Sequence, residues 1–282
     1  MARVFEVKAR PSFDPLIVHV ARADELPRVA HSGDPRVETL AGRFWPGPLT
    51  LVLPRRPELP DLVTAGLETV GVRVPDHPAA REMIHAAATP VAAPSANPFG
   101  YVSPTRAEHV LEQLGDRVDL VLDGGPCRVG LESTILSLAA DPPVILRPGG
   151  VTREQLEAAL GRSLEVTGPA QRPLAPGQLA RHYATRTALR LLAGPAGPAP
   201  AEAGRVGLLA LHHPPEALGY AAVEVLAPDG DLSTAAARLF AALRRLDAAG
   251  LDLLLAEPLP EAGLGQAIMD RLRRCAAAVP SP

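Results

Sequence analysis

The chain has 282 residues, 47% of them hydrophobic, with 28 Lys plus Arg against 31 Asp plus Glu. That is enough apolar material for one large core or two smaller ones, and the formal net charge of −3 argues against a protein that coats a polyanion, which needs a basic surface. Cys127 and Cys275 give neither a metal-ligand spacing nor a disulfide framework. The opening MARVFEVKAR lacks the apolar stretch of a signal peptide, and no apolar run reaches bilayer length. The expectation is a soluble cytoplasmic protein with no membrane association, no stable nucleic-acid binding and no protein-bound metal.

In chain order, residues 1–165 read as a mixed α/β domain. Apolar strand-like runs occur at 16–20, 49–53, 70–74, 118–122, 134–138 and 144–146. Helical patterns lie between them at 24–31, 34–44, 78–88 (Pro78 in its first turn), 105–114 and 152–160. Thr105 with Glu108, and Thr152 with Gln155, have capping-box spacing. Residues 166–187, rich in Pro and Gly without an apolar period, read as a linker. Residues 188–282 read as a smaller Rossmann-like unit, with strands at 188–192, 206–211, 223–226 and 251–256 and helices at 233–248, capped by Ser233, and 263–277. No GxGxxG is present, so dinucleotide binding has no support.

Six groups of residues could carry chemistry. Lys8, the only lysine in an arginine-rich chain, stands two before Arg10. Arg10 precedes a proline and is therefore expected to be extended, with both cations on one face. Such a pair suits a polyphosphate, Lys as a point charge and Arg as a fork, and equally suits a solvated basic edge. In TVGVRVP, Val70, Val72 and Val74 should face the core, with Gly71 and Arg73 on the other face; Arg73 could clamp a carboxylate or reach solvent. Ser95, Asn97 and Ser103 lie on a loop before a helix, a natural anion site or an ordinary polar turn. Gly124 and Gly125, with Glu132, Ser133 and Thr134, read as a ligand rim at strand ends or as a glycine turn. Arg147 ends a strand before a Pro-Gly turn. His182 and Tyr183 in the linker read as a lid or as an aromatic anchor. A nucleophilic role for Cys127 is disfavoured, since no histidine is near it in sequence.

Taken together and in order, KxRPxxxPLIVH, WPGPLT, VGVRVP, APSAN, SPT, GxEST, ILRPGG and APGQLARHYA resemble the threonylcarbamoyl-AMP synthase family in its two-domain form. The resemblance implies a YrdC-like twisted, mixed open sheet with flanking helices, followed by a linker or lid and a small accessory domain. It implies synthesis of threonylcarbamoyl-AMP and pyrophosphate from L-threonine, bicarbonate and ATP, with Mg²⁺, for a downstream tRNA threonylcarbamoyl transferase complex. Lys8 and Arg10 would hold ATP phosphates, with Asp14 near the nucleotide. Thr69, Ser95, Asn97, Ser103 and Arg147 would contact ATP. His19, Arg73, the backbone at Ala93, and Ser133 would hold threonine, and Tyr183 would close over the site. The family's PTETVYGL-type segment is not found before Lys8, Asp14 stands where Asn is common, and Thr185 replaces a linker proline. An N-terminally truncated chain of weak or no activity is therefore expected, with a non-catalytic nucleotide- or RNA-binding module of the same fold as the alternative.

Overall fold

The computed structural model describes residues 1–214 and 218–277. These form two compact units, residues 1–95 with 132–179, and residues 96–131 with the segment from 180 onward. The grouping interleaves along the chain, whereas the sequence reading divides it at 165 and 187.

Unit 1 contains α1 (Ala2–Lys8), β1 (Ile17–His19), α2 (Pro35–Phe44), β2 (Leu49–Pro54), α3 (Asp61–Thr64), β3 (Thr69–Arg73), α4 (Pro78–Ala86) and β4 (Val91–Ala92). Unit 2 begins with α5 (Ala107–Leu114), and unit 1 resumes with β5 (Thr134–Ser137), β6 (Val144–Arg147), α6 (Arg153–Leu160) and β7 (Glu165–Val166). The unit 1 strands form one mixed sheet in the order β4-β1-β3-β2-β5-β6-β7. Parallel pairs (β1·β3, β2·β5, β6·β7) and antiparallel pairs (β1·β4, β2·β3, β5·β6) alternate along it.

The period of two along each strand divides the sheet into two faces. Val18, Leu49, Leu51, Leu53, Val70, Val72, Leu136 and Ile145 enter the main core with Val37 and Leu40 of α2 and Leu156 of α6. Ile17, Val52, Ile135 and Leu146 form a smaller cluster with Ala175. The polar members of the second face, including His19, Thr50 and Arg73, therefore gather beside that smaller cluster.

Unit 2 carries β8 (Leu189–Leu191), β9 (Val206–Ala210), β10 (Ala222–Val225), α7 (Leu232–Asp247), β11 (Leu253–Ala256) and α8 (Leu264–Ala276). Its four strands are parallel, in the order β10-β9-β11-β8. A parallel sheet needs helical crossovers, and α7 and α8 supply the core with Leu239, Phe240, Leu243, Ile268 and Leu272.

Several local expectations need correction. Residues 118–122 form no strand despite their apolar run; Leu120 is 82% exposed and Leu122 66%. Residues 23–28 make a 3-10 turn rather than an α-helix. Thr105 does not cap α5, because its N–H donates to His109 Nδ1 (3.2 Å) and the helix starts after Arg106. Asp231, not Ser233, caps α7, since its carboxylate accepts from the N–H groups of both Ser233 and Thr234. The capping box of Thr152 and Gln155 is present.

Leu136 is fully buried at the centre of the unit 1 sheet, whereas Leu122 packs against little. Leu136→Ala is expected to destabilise the protein by about 2–5 kcal/mol and Leu122→Ala by less than about 0.5 kcal/mol, read as shifts in guanidinium unfolding midpoints.

Candidate functional site

Lys8 and Arg10 meet by a different route from the one their spacing suggests. Lys8 ends α1, and Ala9 takes a left-handed conformation (φ 51°) that closes the helix, its N–H bonding back to the Glu6 and Phe5 carbonyls. The reversal brings Arg10 round beside Asp14. Arg10 donates to the carbonyls of Asp14 (3.2 Å) and Pro15 (2.7 Å), and its guanidinium lies 3.0 Å from Asp14 Oδ2. Two of its donor atoms, Nε and Nη2, are thus held by backbone carbonyls, and the buried Asp14 oxygens meet Arg10 as an ion pair. Lys8 Nζ donates to the Ser95 carbonyl.

Arg147, at the end of β6, ties the site together. It donates to the Ser133 carbonyl (2.8 Å and 3.2 Å), to Ser133 Oγ (3.1 Å) and to the Pro176 carbonyl (3.1 Å). Ser133 Oγ in turn pairs with Thr50 Oγ1 at 2.7 Å. The β5 start can lie this close only because position 149 is glycine: a Cβ there would stand 2.4 Å from the Glu132 carbonyl oxygen and 2.5 Å from Thr134 N. Arg73 sits opposite His19 across the β1·β3 pairing, and Gly47 of the WPGPLT turn orients it by accepting from its Nε at 2.9 Å. Gln178 holds the first part of the linker, its Oε1 accepting from Leu174 N (2.7 Å) and Ala175 N (3.0 Å).

The electrostatics follow from burial. Lys8 is only 5% exposed; desolvation, then repulsion from Arg10, pull its pKa down to about 7 against the attraction of Asp14. Asp14 is pushed up to about 6 by desolvation, opposed by Arg10, Arg147 and Lys8. Arg73 falls to about 10 through burial and then Arg147, with Asp76 opposing. His19 is lowered to about 4 by burial and then Arg73, so its ring is neutral at pH 7, and its buried Nδ1 has no hydrogen-bond partner among the described residues. Arg10, Arg147 and Lys8 thus act on Asp14, while Arg73 feels Arg147 and Asp76.

Unit 1 therefore brings together Lys8, Arg10, Asp14, Ser133 and Arg147, with His19 and Arg73 paired beside them. The exposed Ser95 joins them through its carbonyl rather than its hydroxyl. The N–H of Ala93 donates to the Ile17 carbonyl (3.0 Å). Thr69 shares the face of Arg73 but opens β3 four residues earlier, about 13 Å along an extended strand. Asn97, Ser103 and Tyr183 belong to unit 2. Asn97 braces its own turn by donating to the carbonyls of Pro98 (2.8 Å) and Tyr101 (2.9 Å). The Ser103 carbonyl accepts from Arg244 at 3.3 Å. Tyr183 is fully buried, stacked on Phe240 (centroids 5.5 Å apart) and beneath the Arg271 guanidinium (5.2 Å). In this arrangement its ring packs within unit 2. Thr50, Gly47 and Gln178 were not singled out from sequence; the WPGPLT and APGQ motifs that contain them were the available signal.

A mixed-sheet unit with a buried cationic pocket, joined to a small parallel-sheet unit, defines a two-unit α/β protein of the YrdC-like kind. Residues 1–149 match the Sua5/YciO/YrdC family, described as telomere recombination, and residues 151–277 match the threonylcarbamoyl-AMP synthase C-terminal domain. The chain is 41% identical to the threonylcarbamoyl-AMP synthase of Bacillus subtilis over 97% of its own length and 82% of that protein's. It is 39% identical to that of Pyrococcus abyssi, over 96% and 83%. The crystal structure of P. abyssi Sua5 complexed with L-threonine superposes with a TM-score of 0.90 at 37% identity, covering 98% of this chain and 84% of that one. A P. abyssi Sua5 variant with an adjacent histidine and tyrosine both replaced by alanine matches with a TM-score of 0.89 and 36% identity, covering 98% and 83%. The chain belongs to the threonylcarbamoyl-AMP synthase family.

The burial of Lys8 makes stability depend on pH in a defined direction. Its folded pKa of about 7 lies below the ordinary 10.5, so between these values the unfolded chain binds more protons and stability rises with pH. Lys8→Met removes the cost of a buried ammonium. The variant is expected to be more stable than wild type at pH 6, with the gap closing towards pH 10, as measured by urea unfolding across that range.

Proposed function

We propose that this chain is an L-threonylcarbamoyladenylate synthase, and that the observation carrying this reading is the buried cluster of Lys8, Arg10 and Arg147 beside the His19–Arg73 pair. The cluster suits a triphosphate, and the Arg73 fork suits an amino-acid carboxylate. Neutral His19 offers an acceptor for the substrate hydroxyl or amine. Ala93 offers its carbonyl oxygen, since its N–H is engaged. Ser133, held by Arg147 and Thr50, adds a hydroxyl on the threonine side. Asp14, Thr69, Ser95, Asn97, Ser103 and Arg147 are assigned to ATP, and Tyr183 to closure, which requires its ring to leave Phe240.

In the proposed reaction the threonine amine attacks CO₂ derived from bicarbonate, forming the N–C bond and losing a proton to give a carbamate. A carbamate oxygen then bonds to the α-phosphorus of ATP as the bond to the bridging α–β oxygen breaks. The products are threonylcarbamoyl-AMP, pyrophosphate and water. The protein supplies positioning and charge neutralisation. Lys8 and Arg10 take up the charge that develops on the departing pyrophosphate, and the triphosphate raises the Lys8 pKa again so that it binds as the ammonium.

Among the described residues no group of three or more His, Cys, Asp or Glu side chains could hold a metal ion. Asp14 lies against Arg10. The residues do not fit a resident Mg²⁺, which enters as the counter-ion of ATP and hence as part of that substrate. The product, a reactive mixed anhydride, suits transfer to tRNA by a separate transferase that modifies adenosine 37. Among the described residues no helix is long and apolar enough to cross a membrane, and a cytoplasmic site of action is part of the proposal.

Pyrophosphate release by the purified chain is expected to need both L-threonine and bicarbonate, and ATP hydrolysis independent of threonine would overturn the reading. Lys8→Ala or Arg10→Ala is expected to lower turnover on the order of a hundredfold or more, the usual loss of a charge-assisted transition-state contact. Arg73→Ala should chiefly raise the KM for threonine.

A further inference from the structure

Unit 2 holds a second cationic cavity, of about 380 Å³, lined by Thr105, Arg106, Cys127, Glu224, Arg238 and Arg245 among others. Its floor is one face of α7, where Arg238, Ala241 and Arg245 recur at helical spacing (i, i+3, i+7). The methyl groups of Ala237 and Ala241 leave open the space between the two guanidinium groups. The rest of the lining comes from Thr105 and Arg106 before α5, Pro126 and Cys127 of the following loop, and Glu224 and Val225 of β10. Gly130 (φ 72°) lets that loop lie against α7, since a Cβ there would meet the Ala236 carbonyl oxygen at 2.4 Å. Cys127 N–H fastens the loop by donating to the Thr105 carbonyl at 2.9 Å.

Charge in this cavity is unbalanced. Glu224 is the only carboxylate in the lining, and it is fully committed to Arg245 by two hydrogen bonds of 2.7 Å. Arg238 reaches only the Leu226 carbonyl, at 3.4 Å. Arg106 has no carboxylate partner among the described residues. Two forks thus line, from different elements, a space large enough for a small molecule. Guanidinium groups so placed select planar or tetrahedral oxyanions, and two of them favour a ligand with more than one anionic group.

We propose that this cavity is an oligophosphate-binding site of unit 2, separate from the pocket of Lys8, and that Arg106 and Arg238 are its ligands with Arg245 in support. The ligand is a compact solute with two or more linked phosphates. Cys127 is exposed and Cys275 buried, so the rim of the cavity carries its own chemical reporter.

The test measures alkylation of Cys127 by iodoacetamide in the full chain, followed by peptide mass spectrometry, as inorganic pyrophosphate is added. Saturable slowing of at least threefold is expected. The Arg106→Ala/Arg238→Ala protein should need at least tenfold more pyrophosphate for the same protection. Arg238→Gln, which keeps the helical stem, replaces the double variant if circular dichroism shows that one unfolded. Lys8→Ala should retain full protection, which separates this site from the proposed reaction. Absence of protection, protection unchanged in the arginine variants, or protection lost in Lys8→Ala would each overturn the assignment. So would protection by a 5′-phosphorylated oligonucleotide with none by pyrophosphate, because that would make the ligand a nucleic-acid backbone.

Discussion

Unit 1 is organised around positive charge that has been taken out of water. An isolated buried cation is costly, and backbone oxygen meets part of that cost here. Arg147 is held by two carbonyls and a hydroxyl, Arg10 by two carbonyls, Arg73 by one and Lys8 by one. Carbonyl dipoles steady the cations without neutralising them. Asp14 lies against Arg10, and Asp76 acts on Arg73. The pocket therefore keeps an unspent field, and the species that completes it most fully is a polyanion.

The strand pattern explains why such a pocket can exist in a chain of net negative charge. Alternation sends Val18, Leu51, Val72 and Leu136 to the main core and leaves the other face with a smaller apolar cluster. Polar residues can then share that second face without interrupting the core. The turns beside the strands do the fine placement: the Gly47 carbonyl aims Arg73, and the absence of a side chain at Gly149 lets the backbone of β5 come near.

The sequence was most legible where a period or a strong local rule acted. The valines of 70–74, the strand at 49–53, Pro78 in the first turn of α4 and the Thr152 capping box all follow from spacing. Its failures have physical causes. Residues 118–122 are apolar enough for a strand, yet apolar composition cannot supply a hydrogen-bonded neighbour. Lys8 and Arg10 looked like neighbours along an extended chain; a left-handed alanine, which no propensity favours, brings them together instead. Thr105 and Ser233 both satisfied capping statistics, but a histidine ring nitrogen and a nearby aspartate changed the outcome. Thr50 was hidden for another reason: a hydroxyl inside an apolar strand becomes informative only when the partner across the sheet, Ser133, is known. The resemblance to a family added what geometry alone does not specify, the identity of the substrates.

One compositional accident has a practical side. A chain with a single lysine carries one side-chain amine, and here it lies inside the pocket with a pKa near neutrality. Burial thus lets it lose its proton at lower pH than an ordinary lysine does, although its amine is buried and bonded to the Ser95 carbonyl. An acylating or aldehyde reagent small enough to enter would mark one interior position against the background of the α-amino group alone. Anything that restores the ammonium by surrounding it with negative charge would shield it. Where a reagent does reach it, the yield of that one label would report whether the surrounding site is filled.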